Sequence, residues 1–185
     1  MTAGQLRARN LRTVAALGAL FVSPLLIAFF TYYGSAWRPA GQVNHGTLIT
    51  PPRPLPASAL PRGKWTLLYA GDGACDSACR EALHVMRQTR LALNNDMTRV
   101  ERTFLATAHC CAREFLSREH AGLVVLDGAS AAEQPLLREL SAPAPAHLLY
   151  IVDPLGNLVM SYDARSDPHG LLEDLKKLLR LSHIG

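Results

Sequence analysis

Apolar residues fall into two regimes along this chain. From Thr13 to Trp37 no charged residue interrupts the sequence, a run of 25 positions whose apolar heart is Val14–Phe30. Beyond it, short apolar runs alternate with segments of helical period. Lys64–Tyr69 predicts a strand, Asp76–Asn95 a helix, Val100–Thr107 a strand, Cys110–His120 a helix and Leu123–Leu126 a short buried strand. Glu133–Leu140 reads as a short helix, with Pro135 near its first turn, where a missing N–H matters least. Leu148–Val152 and Leu158–Tyr162 predict a hairpin across Asp153-Pro154-Leu155-Gly156. Asp167-Pro168 supplies an N-cap and a proline for the first turn of a last helix, whose buried face is Leu171, Leu172, Leu175, Leu178 and Leu179.

Strands and helices alternating at this length imply an α/β sheet covered on both faces. On the helix expected at 76–95, Ala78, Ala82, Val85, Met86, Thr89 and Leu93 recur at helical spacing, while Arg80, Arg87 and Arg90 lie on other sides. Met86 on that stripe is a core residue rather than a metal ligand. A cysteine pair opening the first helix, and a hairpin followed by a terminal helix, fit a thioredoxin-like fold best.

The first apolar run sets the organisation. Its length spans a hydrocarbon core, and Tyr32, Tyr33 and Trp37 close its far end. Length favours an uncleaved anchor over a removable signal with Gly34-Ser35-Ala36 at its cleavage site. Arg7, Arg9 and Arg12 precede it, which places the N-terminus in the cytoplasm and the remainder outside. The expected division is a cytoplasmic 1–12, a transmembrane 13–36, a Pro-rich extended tether 37–62 and a globular 63–185. The net charge of +4 owes three of its cations to the N-terminus, and no basic stripe with aromatics follows, so nucleic acid is not a partner. His45, within the tether, reads as a solvated loop histidine.

Chemistry concentrates in Gly71-Asp72-Gly73-Ala74-Cys75-Asp76-Ser77-Ala78-Cys79-Arg80. Cys75 and Cys79 are one helical turn apart, so their sulfurs share a face. A helix N-terminus lowers the pKa of a thiol placed there. Two soft sulfurs so arranged can close a disulfide or hold a soft ion such as Cu(I). Outside the cytoplasm, four cysteines are disulfide-permissive. Phosphate-binding glycine loops, paired zinc cysteines and a nucleophile-elbow serine are absent from the sequence.

With these residues in view, the chain resembles the membrane-anchored Sco/SenC-like proteins associated with cytochrome c oxidase assembly. The landmarks are Trp37-Arg38-Pro39-Ala40-Gly41, Asn44-His45-Gly46, Gly63-Lys64-Trp65-Thr66-Leu67, the Cys75/Cys79 block running into Met86-Arg87-Gln88, and Tyr150-Ile151-Val152-Asp153-Pro154-Leu155-Gly156-Asn157-Leu158. The resemblance implies a thioredoxin-like domain on a single helix in the bacterial inner membrane, with the domain in the periplasm. It further implies Cu(I) held by Cys75 and Cys79 and delivered to the copper-binding subunit of cytochrome c oxidase or to another assembly factor.

A third ligand, a histidine eight residues before the hairpin turn, belongs to the better-studied Sco pattern. Here that position is Pro145, and His147 lies six before Asp153, on the same strand parity. His147 is either a displaced ligand or an ordinary strand-edge histidine. The alternative function is a thiol–disulfide oxidoreductase, in which Cys75 attacks a partner's disulfide, Cys79 resolves it, and the oxidase's copper-site cysteines stay reduced. A disulfide that only staples the domain is a third reading.

His109-Cys110-Cys111 lies outside the family pattern. Adjacent cysteines rarely bridge each other, so the expectation is one thiol at a strand end and another on a helix start. A metal site with His109, or a disulfide taken over from the first pair, are the alternatives. Copper transfer by ligand exchange calls for a site close to the surface.

Overall fold

The computed structural model describes residues 3–34, 44–56, 60–140 and 148–182. The chain divides into two compact units, Met1–Val43 and Asn44–Gly185. In the first, α1 (Ala3–Tyr33) is a continuous helix. Its segment Leu11–Tyr33, 23 residues with mean hydropathy 2.2, is long and apolar enough to cross a membrane. Pro24 sits inside it, and Thr31 turns its hydroxyl back onto the Ile27 carbonyl at 2.9 Å.

The second unit is built on β1 (Thr47–Pro54), β2 (Trp65–Gly71), α2 (Ser77–Ala92), β3 (Val100–Ala106), α3 (Arg113–Glu119), β4 (Val124–Asp127), α4 (Gln134–Leu140), β5 (Leu148–Val152), β6 (Asn157–Asp163) and α5 (Pro168–Leu181). A 3₁₀ turn, Asn94–Arg99, links α2 to β3. The six strands lie in the order β1-β6-β5-β2-β3-β4. β2 runs parallel to β3, and β3 to β4, whereas β5 is antiparallel to both β2 and β6. This is the mixed α/β, thioredoxin-like sheet expected from the sequence.

Period-two alternation sorts the side chains onto two faces, except at the register shift opposite Ile151 and Val152, which sends Leu158 and Met160 of β6 to opposite sides. Trp65, Leu67, Tyr69, Phe104, Ile151 and Met160 face one core with the apolar stripes of α2 and α5. Leu68, Leu105, Tyr150 and Leu158 face another, closed by Leu136 and Leu140 of α4. On α2 the buried set is Cys79, Ala82, Leu83, Val85, Met86 and Thr89. Met86 is a fully buried core residue, as its position on the stripe implied.

The proline-rich segment departs from the simple tether expected over 37–62. Thr47–Pro54 is an edge strand on β6, with Leu48 opposite Met160 and Arg53 opposite Leu158 and a register shift between. An edge strand leaves half its N–H groups unpaired, so it admits prolines that an interior strand would reject. Leu55 and Leu60 then enter the second core at 5% and 7% exposure. His45 is exposed yet engaged: Nδ1 lies 3.2 Å from Asp167 and Nε2 3.0 Å from Glu173. Its backbone N–H, with that of Gly46, donates to the buried Asp174 carboxylate.

The hairpin turn forms as its residues dictate. Gly156 N–H donates to the Asp153 carbonyl at 2.9 Å, with Gly156 at φ 90°, a value that favours glycine. Asp167 caps α5 by accepting from Gly170 N–H at 2.8 Å.

Candidate functional site

The end of β2 positions the first cysteine pair. After Gly71 the chain turns through Asp72, whose carbonyl accepts the Cys75 N–H at 3.0 Å. Cys75 adopts φ 53°, in the left-handed region that a non-glycine residue seldom occupies and that recurs at functional turns. Asp76 caps α2, its Oδ1 accepting from Cys79 N–H at 2.9 Å. Cys75 and Cys79 are joined by a disulfide with their Cα atoms 5.0 Å apart. Each is only 1% exposed.

That burial corrects the surface position expected of an exchangeable copper site. Cys111, Ala112 and Phe115 pack against the core cluster that contains both sulfurs. Arg80 adds to the cover, with its guanidinium 4.8 Å above the Phe115 ring and Nε donating to the Cys75 carbonyl at 3.3 Å. Tyr69, in the same core cluster as the pair, is stacked on Phe104 with ring centroids 5.7 Å apart. Burial, reinforced by Asp76, pushes its phenol up to about 12.

The second pair is also corrected. Cys110 and Cys111 are not separate thiols but a disulfide, across a cis peptide that holds their Cα atoms 3.1 Å apart. They lie in the loop before α3, which starts at Arg113 rather than at Cys110. Cys110 is exposed and Cys111 half-buried. Both line a cavity of 540 Å³ with Leu116, His120, Leu123 and Val125.

The two loops are fastened together by backbone hydrogen bonds. Thr107 N–H donates to Gly71 O, Gly73 N–H to Ala108 O, and Ala112 N–H to Gly73 O, each at 2.8 Å. His109 Nδ1 meets Asp72 Oδ2 at 2.9 Å. The Asp72 carboxyl is held below its usual range, first by the Ala74 N–H and then by His109. Position 73 requires glycine, because a Cβ there would lie 2.6 Å from the His109 carbonyl oxygen and 2.8 Å from Cys110 Cα.

The sequence places Asp72 and Gly73 beside Cys75 and Cys79 and leaves a disulfide exchange with the second pair only as an alternative; it does not show that His109, Cys110 and Cys111 sit against that loop. The signal was topological. Gly71 and Ala106 are register partners in adjacent parallel strands. Cys75 and Cys110 each follow their strand end by four residues, at the carboxyl ends of the strands, where α/β proteins place their sites. His147 lies outside the described residues. Among the described residues, no cluster of three or more His, Cys, Asp or Glu side chains is arranged to hold a metal ion. Two sulfurs one turn apart nevertheless match the soft-donor chemistry of Cu(I) once the bond between them is reduced.

A family model described as transmembrane-like, thioredoxin-like, C-terminal domain matches residues 65–182. No curated protein matches the chain in sequence. Among solved structures, apo Sco1 from Thermus thermophilus is similar at TM-score 0.57 and 17% identity, over 75% of this chain and 99% of that one. Yeast Sco1 with copper bound is similar at TM-score 0.55 and 17% identity, over 65% and 81%. Bradyrhizobium japonicum ScoI with copper bound is similar at TM-score 0.51 and 21% identity, over 63% and 85%. At such identities the likeness speaks for the fold, and at that level it bears out the Sco/SenC resemblance read from the sequence.

Proposed function

The chain belongs to the transmembrane-like, thioredoxin-like family, and from that premise we propose that it is a membrane-anchored, Sco-like assembly factor that carries Cu(I) on Cys75 and Cys79. The observation that carries this reading is the cysteine pair one turn apart at the start of α2, in a fold similar to copper-bound Sco structures. Reduced, the pair supplies two thiolates, which select Cu(I) over harder ions. The positive end of α2 stabilises both. Copper is cargo here, passed by ligand exchange to the copper-binding subunit of cytochrome c oxidase or to another assembly factor.

His147 is the third donor in this proposal. The chain enters β5 at Leu148, and Leu149 pairs with Tyr69 near the end of β2 from which the Cys75 loop springs. In the same reading α1 spans the bacterial inner membrane and residues 44–185 work in the periplasm. A reporter fused after Gly185 is expected to be active only outside the cytoplasm, with the full chain in the membrane fraction. A cytoplasmic reporter would reject this topology.

A second reading, a thiol–disulfide oxidoreductase, is favoured by one observation: the pair is bridged, with no third ligand beside it among the described residues. In that chemistry the Cys75 thiolate attacks a partner's disulfide and Cys79 resolves the mixed disulfide, moving two electrons to the partner. Anaerobic Cu(I) titration of the reduced full chain in detergent separates the two. One Cu(I) per chain, and none for the oxidised chain, is expected. No binding by the reduced chain, together with rapid reduction of a partner disulfide, would give the protein to the second reading.

A further inference from the structure

Either role of the first pair requires Cys75 and Cys79 to be reduced, and the inference that follows rests on that reading. A buried disulfide is a poor target for an external thiolate, because exchange needs an approach to one sulfur along the S–S axis. Cys75 and Cys79 are each 1% exposed. The neighbouring bridge is different: Cys110 is exposed, and a cavity of 540 Å³ opens beside it. Cys111, half-buried, packs inward on the cluster that holds the first pair.

We propose that Cys110–Cys111 is a second redox pair that takes electrons from an external dithiol and relays them to Cys75–Cys79. Three observations place the pairs for this. Their loops leave register-matched ends of adjacent strands. Three backbone hydrogen bonds of 2.8 Å fasten one loop on the other. The Gly73 side-chain position, two residues before Cys75, is 2.8 Å from Cys110 Cα, so only a residue without a side chain permits the approach. Cys75 and His109, one on each loop, also share the left-handed backbone, at φ 53° and 44°.

The exchange balances in four displacements. A donor thiolate attacks Cys110 Sγ, breaking the Cys110–Cys111 bond and releasing the Cys111 thiolate. The donor's second thiol then displaces Cys110, and the donor leaves as its disulfide. The Cys111 thiolate attacks Cys75 Sγ, breaking the Cys75–Cys79 bond and releasing the Cys79 thiolate. Finally the Cys110 thiolate attacks Cys111 Sγ, re-forming the exposed bridge and releasing the Cys75 thiolate. The donor has lost two electrons and two protons, and Cys75 and Cys79 hold them.

The test is the order and rate of reduction of the full chain in detergent by dithiothreitol, with thiols trapped by alkylation and located by peptide mapping. Cys110 and Cys111 are expected to label first and Cys75 and Cys79 afterwards. In the Cys110→Ser/Cys111→Ser chain, labelling of Cys75 and Cys79 is expected to slow about tenfold or more, as loss of the accessible route requires. Equal rates in the two chains would overturn the relay. Because that variant alters a packed loop, a second one is paired with it: Cys79→Ser/Cys110→Ser leaves Cys75 and Cys111 free to trap the intermediate. A Cys75–Cys111 disulfide is expected on mild oxidation, and its absence would also overturn the proposal. The parent reading is judged apart from the relay, by Cu(I) binding of the Cys110→Ser/Cys111→Ser chain after complete reduction. Normal stoichiometry with unslowed reduction would leave copper binding standing and remove the relay alone.

Discussion

The two cysteine pairs occupy matching places in the sheet and opposite environments. Both follow the ends of neighbouring parallel strands by four residues. One straddles the start of a 16-residue helix, with Cys75 just before the Asp76 cap and Cys79 in the first turn, and is shut in the core. The other lies in an extended loop before a 7-residue helix, at the edge of a cavity. Spacing sets which sulfurs meet, whereas burial sets what can reach them. A loop residue before the cap and a residue of the first turn, their Cα atoms 5.0 Å apart, bring two thiolates to one ion. Adjacent residues in an open loop present one bridge to solvent.

Exchanging the pairs' sulfurs for hydroxyls tests this contrast most severely. Cys75→Ser or Cys79→Ser is expected to abolish Cu(I) binding by the reduced chain, since one remaining thiolate forms no chelate. Cys110→Ser and Cys111→Ser are expected to leave the stoichiometry at that of the wild type. Binding that survives loss of both Cys75 and Cys79, or disappears with Cys110, would collapse the distinction. Gly73→Ala ranks next. Its Cβ meets backbone atoms at 2.6–2.8 Å, so one loop must move off the other. A cost of about 1–3 kcal/mol in urea unfolding is expected from such overpacking, with slower reduction of Cys75–Cys79. An unchanged midpoint would mean that the two loops are not held together as tightly as the contacts imply.

Much of this was legible beforehand, for identifiable reasons. α5 announces itself through Asp167, Pro168 and five leucines at helical spacing, and the hairpin through Asp153-Pro154-Leu155-Gly156. Local chemistry decides those elements. Cys75 and Cys79 were equally plain, because both lie on one short segment. β1 was hidden, because its pairing with β6 is made more than a hundred residues away, and its prolines argue for coil until an edge position is known. The bridge between Cys110 and Cys111 was hidden as well. Composition cannot reveal the peptide geometry that brings adjacent cysteines together, nor the close approach of Gly73 from another loop. His147 remains an expectation carried by resemblance.

A smaller effect concerns the cap that distinguishes the first pair. Asp76 Oδ1 accepts the Cys79 N–H at 2.9 Å, and the second pair has no side-chain cap on its helix. Asp76→Ala is expected to cost about 1 kcal/mol, read as a lower urea midpoint at unchanged slope. Asp76→Asn should recover most of it, because an amide oxygen accepts the same bond. Failure of asparagine to rescue would mean that charge, rather than capping, holds this turn.

The smallest effect is a pH dependence that belongs to the second pair's side of the molecule. His120 borders the cavity beside Cys110 and Cys111 and is only 5% exposed. Burial lowers its pKa from the ordinary 6.5, and the cations of Arg102 and Arg87 lower it further against the opposing charge of Glu119. Arg102, 3% exposed on β3, donates to the Ala121 carbonyl at 2.7 Å and so sits against the same corner. The folded chain therefore keeps His120 neutral at a pH where the unfolded chain has already taken the proton. Stability from this group is present above pH 6.5 and is lost as pH falls from there through the lowered folded value. Urea midpoints measured from pH 7.5 down to 5 are expected to fall more steeply for the wild type than for His120→Gln. Parallel midpoint curves for the two chains would show that His120 carries no such linkage.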